Sequence, residues 1–308
     1  MRSILVLLAA LAAAPLTAAP VPLQTDSEFL PEDAPEGLPT TVLTAHVDTY
    51  RALEETGDPV IMIPAPGLDG DVFTGTPDGR EGWAQIFREA GRTVHVFTDP
   101  GILMSGESRE NARRWSADGI WTSWGLGPEP GEPYEDTRYP VQDFETFTEG
   151  LPDHVALSED RELDRALRAA SLLTLMEDAC PCAIIAQSGA AGTVMRAVQM
   201  GEGAPEALVL IEPDGVIADP EASAETFDRF PVLAIFGDRI EERDMARRKE
   251  GTAAMLEALR DKGVTAAMMD LPGEGIAGNT HLLPQDVNSA ALAERVLRWL
   301  DDPSMPEG

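Results

Sequence analysis

Ser188 stands where an apolar run, Ala183-Ile-Ile-Ala-Gln187, meets the small-residue stretch Gly189-Ala-Ala-Gly-Thr193. A strand that turns straight into a helix at a serine holds that residue on a sharp bend, with its hydroxyl exposed above the sheet. Ala186, Gly189, Ala190, Ala191 and Gly192 supply the clearance such a bend requires. A serine hydroxyl is a poor nucleophile at neutral pH and needs a base within hydrogen-bond reach. The competing role for a serine at this place is that of a helix cap.

Of the four histidines, His281 is placed best to be the base. It sits in Gly278-Asn-Thr-His281-Leu-Leu-Pro-Gln-Asp286, between the last expected strand and the last expected helix. That loop passes over the strand ends and can deliver an imidazole to the serine. His95 falls inside an apolar strand and reads as a packed residue, His46 belongs to the early strands and His154 to an irregular insert. A carboxylate must then orient the imidazole and stabilise its protonated form. Glu212 in Leu-Ile-Glu212-Pro and Asp238 in Phe-Gly-Asp238 both follow strands, and the order serine, acid, histidine holds for each. Strand logic alone leaves the two open. The developing oxyanion would be received by backbone N–H groups, those of Gly189 and of a residue in the Pro66-Gly67-Leu68 loop. Pro66 has no N–H, and Leu68 is the expected donor.

The elements that must position these residues follow from apolar periodicity. Strands are expected over 41–47, 59–64, 93–97, 183–186, 207–211, 232–236 and 265–269. Helices are expected over 83–90, 163–178, 189–200, 242–262 and 287–300, with a further helical stretch in the polar link before 232. Short buried strands alternating with amphipathic helices specify an α/β fold: a mostly parallel sheet with helices on both faces. Its ligand sites lie at the carboxyl ends of the strands, where Ser188, Glu212, Asp238 and His281 fall. Between about 102 and 160 the period is lost. Such an insert is expected to form a lid or small cap, with Trp121 and Trp124 as a wall against the substrate and Trp115, Tyr134 and Tyr139 adding flat apolar area.

The first 19 residues read as a secretory signal peptide: Arg2, then an almost purely aliphatic run too short to span a bilayer, then Thr17-Ala-Ala19. Residues 20–40, rich in Pro, Glu and Asp, read as an extended segment, and 303–308 as a loose tail. With 23 Lys and Arg against 54 Asp and Glu, the formal net charge is −31. Such a surface repels phosphate backbones and anionic lipid, so no nucleic-acid partner and no stable membrane insertion of the mature chain are expected. A homodimer is left open. Two cysteines cannot form a disulfide framework; export permits Cys180 and Cys182 to pair, but a ring closed two residues apart is tight, and the bridge is left open. The histidines show no metal-ligand spacing, and neither a dinucleotide nor a phosphate-loop pattern occurs. No metal and no cofactor is therefore expected.

A family resemblance rests on Arg80-Glu-Gly-Trp-Ala84, Phe97-Thr-Asp-Pro-Gly101, Ala186-Gln-Ser188, Ile211-Glu-Pro213, Phe236-Gly-Asp238 and Gly278-Asn-Thr-His281 with Gln285-Asp286. In these segments, spread over about 58 to 300, the chain resembles the bacterial α/β-hydrolase esterases related to the secreted Alcaligenes esterase with a cysteine pair in its oxyanion loop. The resemblance implies an α/β-hydrolase domain over 41–302, a secreted or periplasmic location and cleavage of a small carboxylic ester through an acyl-enzyme. It further implies a triad of Ser188, Glu212 and His281, which favours Glu212 over Asp238. Two departures stand out. The adjacent cysteines of that loop are replaced by Pro66-Gly67, and the usual Gly-x-Ser-x-Gly elbow is here Ala186-Gln-Ser-Gly-Ala190. Amide or lactone hydrolysis by the same residues, or an exported binding protein without turnover, are the competing functions.

Overall fold

The computed structural model describes residues 21–23, 45–103, 107–201, 205–214 and 219–304. The expected signal peptide, most of the extended segment and the last four residues of the expected tail lie outside these residues.

The sheet has eight strands: β1 (Val21–Leu23), β2 (His46–Tyr50), β3 (Val60–Ile63), β4 (Val94–Thr98), β5 (Ala183–Gln187), β6 (Ala207–Ile211), β7 (Val232–Phe236) and β8 (Ala266–Asp270). Their spatial order is β1-β2-β4-β3-β5-β6-β7-β8. From β4 to β8 every pairing is parallel, and β1 and β2 complete one edge in antiparallel fashion. The central strands are buried at every position, and apolar at all but Gln187, because both faces are covered. Alternate residues then enter two separate cores. Ile61, Ile184, Leu208, Leu210 and Ala234 pack with Leu172, Val194 and Leu256 of the helices α5 (Arg161–Ala179), α6 (Ala190–Met200) and α8 (Ala246–Asp261). Met62, Ile185, Val209, Leu233 and Ile235 pack with Trp83 and Phe87 of α2 (Trp83–Glu89) and with Val296 and Trp299 of α9 (Ser289–Asp301). Each such side chain, fully buried, contributes about 1.5–3 kcal/mol, and the period-2 alternation fixes the register, since a one-residue slip would exchange the two faces.

Helix starts are set locally. Asp160 accepts hydrogen bonds from the Glu162 and Leu163 N–H groups at the start of α5, and Asp219 caps α7 (Pro220–Thr226), which carries its proline in the first turn. Two expectations need correcting. The strand expected over 41–47 lies at His46–Tyr50, because Thr49 and Tyr50 continue the pairing with β4 as far as Tyr50↔Val94; 41–44 lie outside the described residues. The stretch 102–160 is also less irregular than its composition suggests. It holds α3 (Ala117–Ser123), capped by Ser116, and α4 (Phe144–Glu149), preceded by a 3-10 turn at Val141–Asp143. Helices of six or seven residues are too short to show a period through the surrounding Pro and Gly. With α1 (Asp71–Thr74) they form a third core of Leu68, Val72, Ile120, Trp121, Trp124 and Leu126, joined by Leu282 from the histidine loop.

Cys180 and Cys182 are disulfide-bonded, with Cα atoms 4.2 Å apart and a cis Cys180–Pro181 peptide between them. They lie at the junction of α5 and β5, at the amino end of the strand that carries Ser188 at its other end.

Candidate active site

Ser188 follows β5 directly and has φ 53°, in the left-handed region that costs a non-glycine residue about 1–3 kcal/mol. The bend is held by neighbouring backbone: the Ser188 N–H donates to the Ile211 carbonyl (2.8 Å), and the Asp214 N–H donates to the Ser188 carbonyl (3.0 Å). Gly189, the cap of α6, has φ −64°, so the positive φ belongs to the serine and not to its flanks. Alanine is therefore conformationally acceptable at 186, inside the strand, and at 190, inside the helix. What position 189 requires is room. A Cβ there would come within 2.8 Å of the Pro66 ring, which places the loop after β3 directly against the elbow.

Glu212 directly follows β6, the neighbour of β5, and also has a positive φ of 44°. It is fully buried, and every polar neighbour is a donor: the Gly237 N–H (2.9 Å) and Arg243 Nη1 (3.0 Å) to Oε1, and Arg243 Nη2 and His281 Nδ1 (2.5 Å) to Oε2. Burial pushes this carboxyl upward, but the Arg243 charge and the hydrogen bonds from His281 and Arg243 outweigh it and hold Glu212 at about 2. The acid is thus ionised at any working pH. His281, also buried, is displaced below the ordinary imidazole range, by burial first and by the Arg243 charge, against the opposing pull of Glu212. A neutral imidazole whose Nδ1–H is bound by a carboxylate leaves Nε2 as the proton acceptor.

The geometry separates the two acids that the sequence left open. Asp238 does not touch the imidazole. Its Oδ2 accepts the Gly278 N–H (2.8 Å) and its Oδ1 the Arg239 N–H (2.7 Å), so it ties down the loop that carries His281. Buried Asp286 does the same from the other side, accepting from Asn279 Nδ2, from the Thr280 N–H and from Thr280 Oγ1, each at 2.8 Å. Gln187, the residue before the serine, donates from Nε2 to the His281 carbonyl (2.8 Å) and accepts the Ala65 N–H on Oε1 (3.3 Å). One buried amide therefore links the elbow, the histidine loop and the loop after β3.

The choice of Leu68 as oxyanion donor is corrected. Its N–H donates to the Ala65 carbonyl at 3.0 Å and closes a turn with Pro66 and Gly67 at the corner. Gly67 has φ 82°, as a type II turn requires at that position. Among the described residues the Gly67 and Gly189 N–H groups have no acceptor. Gly67 is crowded from outside, since a Cβ there would meet Trp115 Nε1 at 2.7 Å and His154 Cε1 at 2.9 Å.

The expected wall residues divide. The Trp124 ring lies 5.6 Å from the His281 ring and 5.4 Å from that of Trp115, and the Trp124 carbonyl accepts the His281 N–H (2.9 Å). Trp121 turns away and packs edge-on against Phe144 at 5.0 Å. Trp115, partly exposed, donates to the Pro66 carbonyl at 3.0 Å. His46 bonds Asp48 and His95 bonds Thr49, both on the early strands and away from Ser188.

Arg243 and Gln187 are the residues that sequence reasoning missed. Only a pairing rule could have found the first: a carboxylate at the end of an interior strand demands a buried cation, and the turn after the adjacent strand β7 is where one can reach it. Among the described residues no group of His, Cys, Asp and Glu could hold a metal ion.

No protein-family model matches the sequence. The chain is similar to a fungal protein (Fungal sp.) named "Probable secreted lipase phiG", with 22% identity, covering 83% of this chain and 85% of the relative. Among solved structures it is similar to a bacterial esterase, with a TM-score of 0.77 and 22% identity over 96% of this chain and 99% of that one. A dienelactone hydrolase from Anabaena variabilis aligns over 92% of this chain and 97% of its own, with a TM-score of 0.48 and 11% identity. Sheet order, the serine bend between β5 and α6, and the likeness to the bacterial esterase agree: this chain has the α/β-hydrolase fold of the esterases it resembles.

Proposed function

We propose that this chain is an exported serine hydrolase that cleaves a small carboxylic ester through an acyl-enzyme. The observation that carries the reading is the Glu212–His281 pair, buried and bonded at 2.5 Å, held by Gln187 next to a serine with φ 53°. Ser188 Oγ attacks the carbonyl carbon while His281 Nε2 takes its proton. The oxyanion is received by the Gly189 and Gly67 N–H groups. The protonated imidazole, stabilised by Glu212, gives its proton to the departing alcohol as the C–O bond breaks. Water then attacks the acyl group, His281 takes up a proton again, and the acid leaves as Ser188 regains its hydrogen. No hydrogen bond joins Ser188 Oγ to His281 among the described residues, and in this reading that contact tightens when the ester is bound.

Export to the periplasm or medium rests on the aliphatic leader and is supported by the name of the fungal relative. No helix among the described residues is long and apolar enough to cross a membrane. The test is turnover of short p-nitrophenyl esters, alongside matched amides and lactones, by the purified chain and by Ser188→Ala. Ester hydrolysis lost in the variant supports the reading; equal rates in both, or turnover confined to amides or lactones, overturn it.

A further inference from the structure

Trp115 is a large apolar side chain that the fold leaves 39% exposed, and it belongs to none of the three cores. Its place is nevertheless fixed. The indole N–H, the side chain's one hydrogen-bonding group, donates to the Pro66 carbonyl at 3.0 Å, and the ring stands edge-on to that of Trp124 at 5.4 Å. Trp124 in turn holds the base, since its carbonyl accepts the His281 N–H at 2.9 Å. Two neighbouring rings of the insert therefore reach both sides of the candidate site.

The carbonyl that Trp115 holds belongs to the central peptide of the turn closed by the Leu68 N–H on the Ala65 carbonyl. The other half of that peptide is the Gly67 N–H, which has no acceptor among the described residues. Carbonyl and N–H point in opposite directions, because the unit is planar and trans. Type I and type II turns differ by a flip of this central peptide, and Gly67, with φ 82°, is in the type II state. Glycine enters either state at little cost, and Pro66 fixes only its own φ, so covalent structure alone does not prevent the flip. Trp115 opposes it. A Cβ on Gly67 would lie 2.7 Å from the indole nitrogen, so the indole sits directly on this peptide, and a flip would set the Gly67 N–H against the indole N–H, donor against donor.

We propose that Trp115 is a positioning residue for the oxyanion, a role that rests on the function proposed above. Its indole N–H locks the Pro66–Gly67 peptide in the orientation that offers the Gly67 N–H to the developing charge. By polarising the same peptide it also makes that N–H a stronger donor.

The test replaces Trp115 in the full-length chain by benzothienylalanine, which keeps the shape of the ring and puts sulfur where the indole carries its N–H. Trp115→Phe is the second variant; because Trp115 lies outside the cores, both should fold, as denaturant unfolding will show. Each should lower kcat on a p-nitrophenyl ester about tenfold, short of the roughly 10²–10³-fold that loss of a whole oxyanion donor causes, because water makes good part of a bond that solvent reaches. In the sulfur analogue, which retains the ring, KM should stay within about twofold, as a loss confined to the transition state requires. Affinity for a trifluoromethyl ketone, whose adduct with Ser188 places an oxyanion in the same hole, should fall by the same factor as kcat. Turnover and ketone binding unchanged in the sulfur analogue, or a rise in KM alone, would overturn the role of Trp115 and leave the proposed function standing. An unaltered chain that neither turns over esters nor binds the ketone would overturn the proposed function and this role with it.

Discussion

The two halves of the candidate site are built on opposite plans. On the acid–base side every carboxyl group is bonded, and Glu212 and Asp286 are fully buried: Glu212 accepts from three residues, Asp286 from two and Asp238 from two, and Gln187 holds the histidine loop by its carbonyl. On the side where bonds would form, Ser188 and Gly189 are half-buried, Pro66 is exposed, and the Gly67 and Gly189 N–H groups have no acceptor among the described residues. Groups whose charge and orientation must not change are fixed by the fold. Groups that must meet a substrate are left with their hydrogen-bonding capacity open.

The largest effect is expected at the acid. Glu212→Gln should lower turnover by about 10⁴-fold, the effect of the equivalent change in the well-studied serine triad. Asp238→Asn should lower kcat/KM only by about five- to tenfold, since it weakens a loop anchor worth about 1 kcal/mol and leaves the imidazole bonded. Measuring both on one activated ester decides between them; the reverse order of losses would make Asp238 the working acid.

Arg243→Met probes the same side through stability. The variant leaves Glu212 buried without its cation, for which about 3–5 kcal/mol of destabilisation is expected in denaturant unfolding. The same arginine lowers the affinity of His281 for protons, so its removal should move the acid limb of the kcat/KM profile to higher pH. In the unaltered chain that limb should fall below the ordinary histidine value of about 6.5, because the neutral imidazole is the active form and burial lowers its pKa. A limb above 6.5 would show that the Glu212 attraction outweighs burial.

Smaller effects distinguish the two tryptophans. Trp124→Ala should change the relative rates on short, long and aromatic esters, because its ring stands beside His281. Trp121→Ala should chiefly destabilise, by about 3–5 kcal/mol, since its ring is packed into the third core against Phe144. Unfolding and ester selectivity measured on both variants check this; equal selectivity changes would mean that Trp121 also faces the substrate.

The same division governs what could be read from the sequence. β6 and β7 were legible to the residue, because a fully buried strand bounded by turn residues has no competing pattern. Ser188 stood out as a candidate from its place at the end of β5, and His281 from its place in the loop between the last strand and the last helix. Glu212 and Asp238 were not separable by spacing, because both follow parallel strands in the right order; the difference lies in which strand adjoins β5. Arg243 and the spent Leu68 N–H were hidden for a related reason, since a pairing 31 residues apart and a turn hydrogen bond leave no periodic trace. In the insert, α3 and α4 draw their stability from the third core and not from local pattern, which is why composition alone presented that stretch as irregular.

Ser188 as the nucleophile is tested by covalent labelling. The purified chain is treated with a fluorophosphonate, digested and mapped by mass spectrometry. One adduct is expected, on Ser188, formed rapidly in the unaltered chain and strongly slowed in His281→Ala. A correctly folded chain that takes up no label, or that carries it on another residue, would contradict the assignment of Ser188 as the nucleophile.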